Sequence, residues 1–310
     1  MGSLLTSATA EAPCSVGNVA SGFDILGHSI DGPVDRVTAR RTEAPLVRLS
    51  SISGVVKDLP RDPERNTSLR ALAALREGLQ LPFGFEIDLV KGIPLGSGMG
   101  GSAASAVAAL VAANALLEAP LSVDALYPFA LDGEAAASGS RHGDNVGPML
   151  LGGLTLATHD RLIRLPIPVG LTCVLVHPRL VLETRRAREA LAMPYAISDF
   201  VPQSERLAQL IFGLFTGDFV SIRNGLEDVL VEPRRAHLIP GFAAVKKAAL
   251  DAGALGASIS GGGPSVFAWF ATRGEGELSV EAMQRGFRAA GLNSDVYISP
   301  VAGPRARVIS

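Results

Sequence analysis

The stretch Gly92-Ile93-Pro94-Leu95-Gly96-Ser97-Gly98-Met99-Gly100-Gly101-Ser102-Ala103-Ala104-Ser105 decides how this chain of 310 residues is built. Residues 83–90 alternate apolar and polar side chains and lead into it as a strand. Residues 102–117 are Ala-rich and apolar on every face, so a buried helix leaves it. Gly96, Gly98, Gly100 and Gly101 let backbone N–H groups converge on an anion without Cβ obstruction. The helix that follows adds its positive N-terminal end. Ser97, Ser102 and Ser105 supply hydroxyls for phosphate oxygens or a cation. No lysine follows the glycines, so this is not a Walker loop, and no βαβ unit with an acidic ribose partner resumes after it.

Residues 34–42 read as a second half-buried strand. Residues 67–79 read as a helix with Leu69, Leu72, Leu75 and Leu79 at helical spacing and Asn66 or Thr67 as cap. Residues 122–137 are another helix with Ser122 at its start. A strand at 152–158 leads to a charged segment, 158–165, that crosses between two domains, 1–160 and 161–310. The second half reads as a strand at 171–176, helices at 184–191, 199–215, 218–229 and 242–252, strands at 255–260 and 265–270, a helix at 280–290 and a strand at 295–299. This order is mixed α+β, not a regular βαβ alternation.

Three further segments carry polar groups that such a loop would need. Pro13–Asp24 places Asn18 and Asp24 on a small-residue loop after the first strand; alone, it reads as an ordinary turn. Glu134 sits on a helix, and ten residues later Asp144 and Asn145 lie in a loop beside His142. Phosphoryl transfer needs a magnesium carboxylate and groups that position the acceptor hydroxyl, and this segment offers both. His142 has no Cys or His partners at zinc-ligand spacing. Gly261-Gly262-Gly263 lies between two strands and suits either a hairpin turn or a close backbone approach to another loop or a ligand.

Together these segments resemble the GHMP kinases, over nearly the whole chain. The glycine loop and Gly261-Gly262-Gly263-Pro264-Ser265 mark the family. Other segments resemble its homoserine-phosphorylating branch: the first motif ending Gly22-Phe23-Asp24 with Gly27 after it, His142-Gly143-Asp144-Asn145-Val146-Gly147-Pro148, Thr184-Arg185-Arg186-Ala187-Arg188, and Glu232-Pro233-Arg234-Arg235. The resemblance implies a two-domain fold with its site in the cleft. The N-terminal domain would hold a left-handed βαβ unit, against the usual handedness, and the C-terminal domain would be ferredoxin-like. It implies that residues 94–104 wrap the ATP triphosphate, that Ser102 and Glu134 hold Mg²⁺, and that Asn66 lies near the adenine. It further implies that Asn18, Asp24, His142, Asn145 and Thr184 contact homoserine, with Arg188 and Arg235 on its carboxylate, in a step of threonine biosynthesis. Asp144, Asn145 and Glu134 are the expected catalytic residues, with Asp144 orienting Asn145 and the acceptor hydroxyl instead of acting as an obligate base.

Gly101 stands where the family usually has the first of two serines, and Val16, Ala20 and Ser21 replace commoner Ser, Gly and Pro. Two other readings are open to the sequence: a kinase for mevalonate or shikimate, and a non-catalytic ligand sensor on the same fold. No lysine occurs between Met1 and Lys57, which counts against a mevalonate-type first motif, and Ser102, Glu134 and Asp144 are all present, which counts against a sensor.

Composition narrows the partners. Hydrophobic residues make up 47% of the chain and charged residues 19%, which suits packed cores. A formal net charge of −2 gives no footprint for nucleic acid. The longest apolar run, 103–117, contains Ser105 and Asn114 and falls short of the roughly 20 residues a bilayer needs. Cys14 and Cys173 cannot make a disulfide framework and fit a reducing cytoplasm. Met1-Gly2 with Thr6 matches a short myristoylation pattern that carries little weight alone. The expected partner is a small molecule, with neither nucleic acid nor membrane, and a homodimer remains open.

Overall fold

The computed structural model describes residues 5–310, so Gly2 of the myristoylation pattern lies outside the described residues. The first half is a sheet backed by helices. Its elements are β1 (Ser7–Gly17), β2 (Leu26–Thr42), β3 (Val47–Gly54), α1 (Thr67–Gly78), β4 (Gly84–Lys91), α2 (Gly101–Asn114), α3 (Val123–Ser138), α4 (Val146–Leu151), β5 (Leu154–Ala157) and β6 (Leu162–Arg164). The second half contains β7 (Thr172–Pro178), α5 (Thr184–Glu189), α6 (Ile197–Thr216), α7 (Phe219–Gly225), α8 (Glu232–Arg235), α9 (Phe242–Asp251), β8 (Gly256–Ile259), β9 (Val266–Phe270), α10 (Arg273–Ala289), β10 (Ser294–Pro300) and β11 (Arg307–Val308).

The strand β2 is the spine of the first sheet, ordered β11-β1-β2-β4-β3. Its later residues pair antiparallel with β4, and its first three pair with β5, which carries β6. β3 and β4 are parallel with α1 between them, a βαβ unit inside an otherwise antiparallel sheet. The charged segment expected to cross between halves forms β6, and the last strand, β11, returns to pair with β1.

The helix α2 explains the first core. Residues Ala103, Ala104, Ala106, Val107, Ala108, Ala109, Leu110, Ala112 and Ala113 are all at 0% exposure. Alanine there lets α1, α3 and the β1–β2 face approach from several sides at once. Asn66 caps α1 by accepting from the N–H groups of Ser68 and Leu69, and Ser122 caps α3.

The second sheet is antiparallel, ordered β10-β7-β9-β8. With β7 as first strand, the order is 4-1-3-2 and the helices α9 and α10 precede β8 and β10, which is the ferredoxin-like arrangement. Val174, Val176, Val266, Ala268 and Phe270 pack there against Val245 and Phe287. The helix α10 begins seven residues before its expected start, where Thr272 and Glu275 form a capping box. Between the sheets, Trp269 of β9 donates its indole N–H to Nε2 of His28 on β2 at 3.1 Å.

Candidate active site

The glycine loop is shaped by where its carbonyls go. The Gly96 carbonyl accepts from the Leu182 amide, the Ser97 carbonyl from Ser265 Oγ at 2.6 Å, and the Gly98 carbonyl from Ser260 Oγ at 2.7 Å. The Met99 carbonyl takes the Ser15 amide and the Gly100 carbonyl takes the Ala104 amide. Five successive carbonyls are thus turned onto protein donors, and the amide edge is what the loop presents to a ligand. Gly96, Gly98 and Gly100 make this turn at φ of +57°, +74° and +69°, the left-handed region. A Cβ on Gly98 would lie 2.5 Å from the Ser260 carbonyl. Gly100 passes directly into α2, whose N-terminus points along the same edge.

The three glycines at 261–263 provide the close approach rather than a plain hairpin. Gly261 donates its N–H to the Gly17 carbonyl and accepts from Nδ2 of Asn18 at 2.8 Å and from Nη1 of Arg235 at 3.3 Å. They therefore tie the first motif, the phosphate-type loop and α8 into one wall.

Facing this wall, Ser102 donates to Glu134 Oε2 at 3.0 Å. Burial pushes the Glu134 carboxyl up to about 8, partly offset by Ser102 and raised further by Asp144. Asp144 is 3% exposed; burial, then the charge of Asp24, lifts it to about 7. Its Oδ2 accepts from the Asn18 amide at 3.0 Å and from Nδ2 of Asn145 at 3.3 Å. Ser15, which the sequence did not single out, donates to Asn145 Oδ1 at 2.7 Å and fixes that amide.

At the other end of the cleft, Arg188 makes a two-pronged contact with Asp24, at 2.8 and 2.9 Å. Burial works against the Arg188 charge, but Asp24 more than offsets it and holds its pKa above the ordinary value. His142 Nδ1 lies 3.4 Å from Asp24, and burial holds His142 below its ordinary pKa. Arg235 is 2% exposed, and burial, then the charge of Arg188, brings it down to about 10. Its Nε donates to the Ala187 carbonyl. Phe23 lies beneath both guanidinium groups. Thr184 opens α5 on the rim.

One cleft therefore gathers the loop around residues 94–102 with Asn18, Asp24, Glu134, His142, Asp144, Asn145, Thr184, Arg188 and Arg235. Several expectations change in detail. The side chain of Asn18 is engaged by Gly261 and by the Asp24 amide, so it shapes the loop first. Ser105 points away from the cleft, into a buried cluster with Asp35 and Lys91. Asn66 is 4% exposed, does not line the cleft, and uses its amide on the α1 cap and the Pro60 carbonyl. Met99, Ala103 and Ala104 are fully buried; they pack beneath the loop and leave ligand contact to its backbone and to Ser102. Among the described residues no group of three or more His, Cys, Asp or Glu forms a metal cage, and no helix is long and apolar enough to cross a membrane.

Comparison with known proteins agrees with this arrangement. The GHMP kinases N terminal domain matches residues 66–153, and the GHMP kinases C terminal domain matches residues 210–289. The chain is 57% identical over 306 residues to the homoserine kinase of Xanthomonas campestris pv. campestris (strain B100), covering 99% of this chain and 95% of that one. It is 55% identical to the homoserine kinase of Xylella fastidiosa (strain 9a5c), over 97% and 94% of the two chains. Among solved structures, homoserine kinase from Cytophaga hutchinsonii ATCC 33406 superposes with a TM-score of 0.94 at 43% identity, covering 100% of this chain and 99% of that one. Mevalonate kinase from L. major shares the fold alone, at 15% identity and a TM-score of 0.65, over 96% and 97% of the chains.

Proposed function

The chain belongs to the GHMP kinases, and from that premise we propose how its cleft works as that of a homoserine kinase. The activity is transfer of a phosphoryl group from ATP to the side-chain hydroxyl of L-homoserine, giving O-phospho-L-homoserine, a step of threonine biosynthesis. Relatives of this identity leave the mevalonate, shikimate and sensor readings unsupported. The observation that carries the residue assignment is that the amide edge of the loop, the carboxyls of Glu134 and Asp144 and two guanidinium groups converge on one cleft.

In this reading the half of the chain around residues 1–160 holds ATP, and residues 161–310 close over the acceptor. Amide groups between Gly96 and Ser102, other than that of Met99, which Ser97 Oγ takes, bind the phosphates, helped by the α2 N-terminus. Glu134 and Ser102 suit a hard divalent cation. Burial raises the Glu134 carboxyl to about 8, a shift that a bound cation would oppose, and Ser102 Oγ offers a second oxygen nearby. Magnesium is commonly held by one or two carboxylates together with substrate phosphates. When bound, it would neutralise charge that develops on the phosphates.

The acceptor would lie between the loop and Phe23, its carboxylate toward Arg235 and Arg188 and its ammonium toward Asp24. Asn145, held by Ser15 and Asp144, would orient the hydroxyl. Because phosphoryl transfer proceeds through a loose transition state, positioning and charge neutralisation supply most of the acceleration. The free, buried cysteines Cys14 and Cys173 fit a reducing cytoplasm. Incubation with MgATP and a panel of homoserine, other hydroxy-amino acids, mevalonate and a sugar, with ADP release as readout, tests the assignment. Homoserine should be preferred; faster turnover of mevalonate or the sugar would leave only the family standing.

A further inference from the structure

The glycine loop is clamped from beneath by an ion pair that does not reach the cleft. Lys91, the last residue of β4, is 1% exposed, Asp35 on β2 is 0% and Ser105 in α2 is 3%. Asp35 Oδ1 accepts from the amides of Gly92 at 3.0 Å and Ile93 at 3.1 Å, where the chain leaves β4. Asp35 Oδ2 accepts from Lys91 Nζ and from Ser105 Oγ, the latter at 2.6 Å. Lys91 Nζ also donates to the Gly101 carbonyl at 2.7 Å and to Ser105 Oγ at 2.9 Å, where the chain enters α2. All three ammonium protons and both carboxylate oxygens are used, so the network is closed.

We infer that Lys91 and Asp35 are positioning residues for nucleotide binding, holding the two ends of the glycine loop at a fixed separation. Removing two charges from water is expensive, and an apolar pair of similar volume would often stabilise a fold at least as well. What an apolar pair cannot do is bind the Gly92 and Ile93 amides at one end and the Gly101 carbonyl at the other. Between those ends lie three glycines at positive φ, which gain the most freedom if the ends loosen. The clamp also accounts for Gly101: a Cβ there would come within 3.2 Å of Ile93 Cγ2 and 3.4 Å of Lys91 Nζ, so glycine seats the loop directly on the ammonium group.

The inference rests on the reading that this loop binds nucleotide phosphates, and the test separates the two. MgADP affinity is measured by calorimetry, and KM for MgATP and for homoserine by ADP release, for the parent, for Asp35→Leu with Lys91→Met, and for Ser105→Ala. A parent that does not bind MgADP refutes the nucleotide reading. If the clamp acts as inferred, the double variant keeps its cooperative melt, loses about 10-fold or more in MgADP affinity, and changes KM for homoserine by less than about 2-fold. Should the double variant not fold, Ser105→Ala decides, because it removes one link without stranding a charge. It should weaken MgADP binding by about 3- to 10-fold, less than the full worth of the charge-assisted hydrogen bonds it removes, because Lys91 and Asp35 stay paired and still hold both loop ends. Unchanged MgADP affinity in the folded double variant, or in Ser105→Ala where the double variant is unfolded, overturns the inference.

Discussion

Asp144→Asn separates positioning from base catalysis in one substitution. The amide keeps the shape and an oxygen to accept from the Asn18 amide, but it cannot take a proton at neutral pH. Its effect on stability can be worked from the structure. Burial and the nearby Asp24 raise Asp144 from an ordinary 3.8 to about 7. Its pKa is higher folded than unfolded, so the unfolded chain loses the proton first. The resulting penalty is absent below about pH 4, grows as pH rises, and is complete above about pH 7. At roughly 1.4 kcal/mol per tenfold, keeping this carboxylate ionised at pH 8 costs up to about 4 kcal/mol. The Asn variant escapes that cost, so it should melt several degrees above the parent at pH 8 and close to it at pH 4. In turnover, we expect a loss in kcat below about 10²-fold, since a loose transition state asks little of a base. Calorimetric melts at the two pH values and steady-state ADP release provide both readouts. No gain in stability at pH 8 would refute the strained carboxylate. A loss in kcat of about 10⁴ or more, with MgADP binding intact, would make Asp144 the base.

Arg235→Ala and Arg188→Ala should each lower kcat/KM for homoserine by about 10- to 150-fold, the worth of a charge-assisted contact of roughly 1.5–3 kcal/mol; unchanged homoserine kinetics would assign that arginine to the fold alone. Glu134→Gln should abolish turnover at ordinary Mg²⁺ without lowering the melt, because a neutral amide is a poor magnesium ligand and carries no ionisation cost in the folded chain; near-normal rates at limiting Mg²⁺ would remove Glu134 from the metal site. His28 is held by burial at about 4, so the emission of Trp269, the single tryptophan, should change with a midpoint near pH 4. A midpoint near 6.5 would mean that the His28–Trp269 contact between the two sheets is open to water.

The legible parts of this protein were those where sequence-local physics decides. The period-2 pattern before Lys91 and the all-apolar pattern after Gly101 located β4 and α2 to within about three residues, and the glycines between them could serve little else. Local signals also mislead locally: Gly274 and Gly276 depress helix propensity beside the capping box Thr272–Glu275, so the apolar pattern alone starts α10 too late. β11 is two residues long and owes its existence to β1, so nothing in its own residues announces it. Pairings over long separations were hidden for the same reason. Lys91 and Asp35 lie 56 positions apart, each in a strand where a charge ordinarily faces solvent. Asp24 and Arg188 are 164 positions apart, and a sequence reading assigns each to a ligand because it cannot see them face each other. Their contact alters the acceptor argument itself. An acceptor that offers only a carboxylate would draw Arg188 away and leave Asp24 partly buried without its partner, a costly state. A zwitterion replaces both halves of the ion pair, ammonium for guanidinium and carboxylate for carboxylate. In the proposed reading the cleft therefore favours amino acids over hydroxy acids through what it must break, as much as through what it makes.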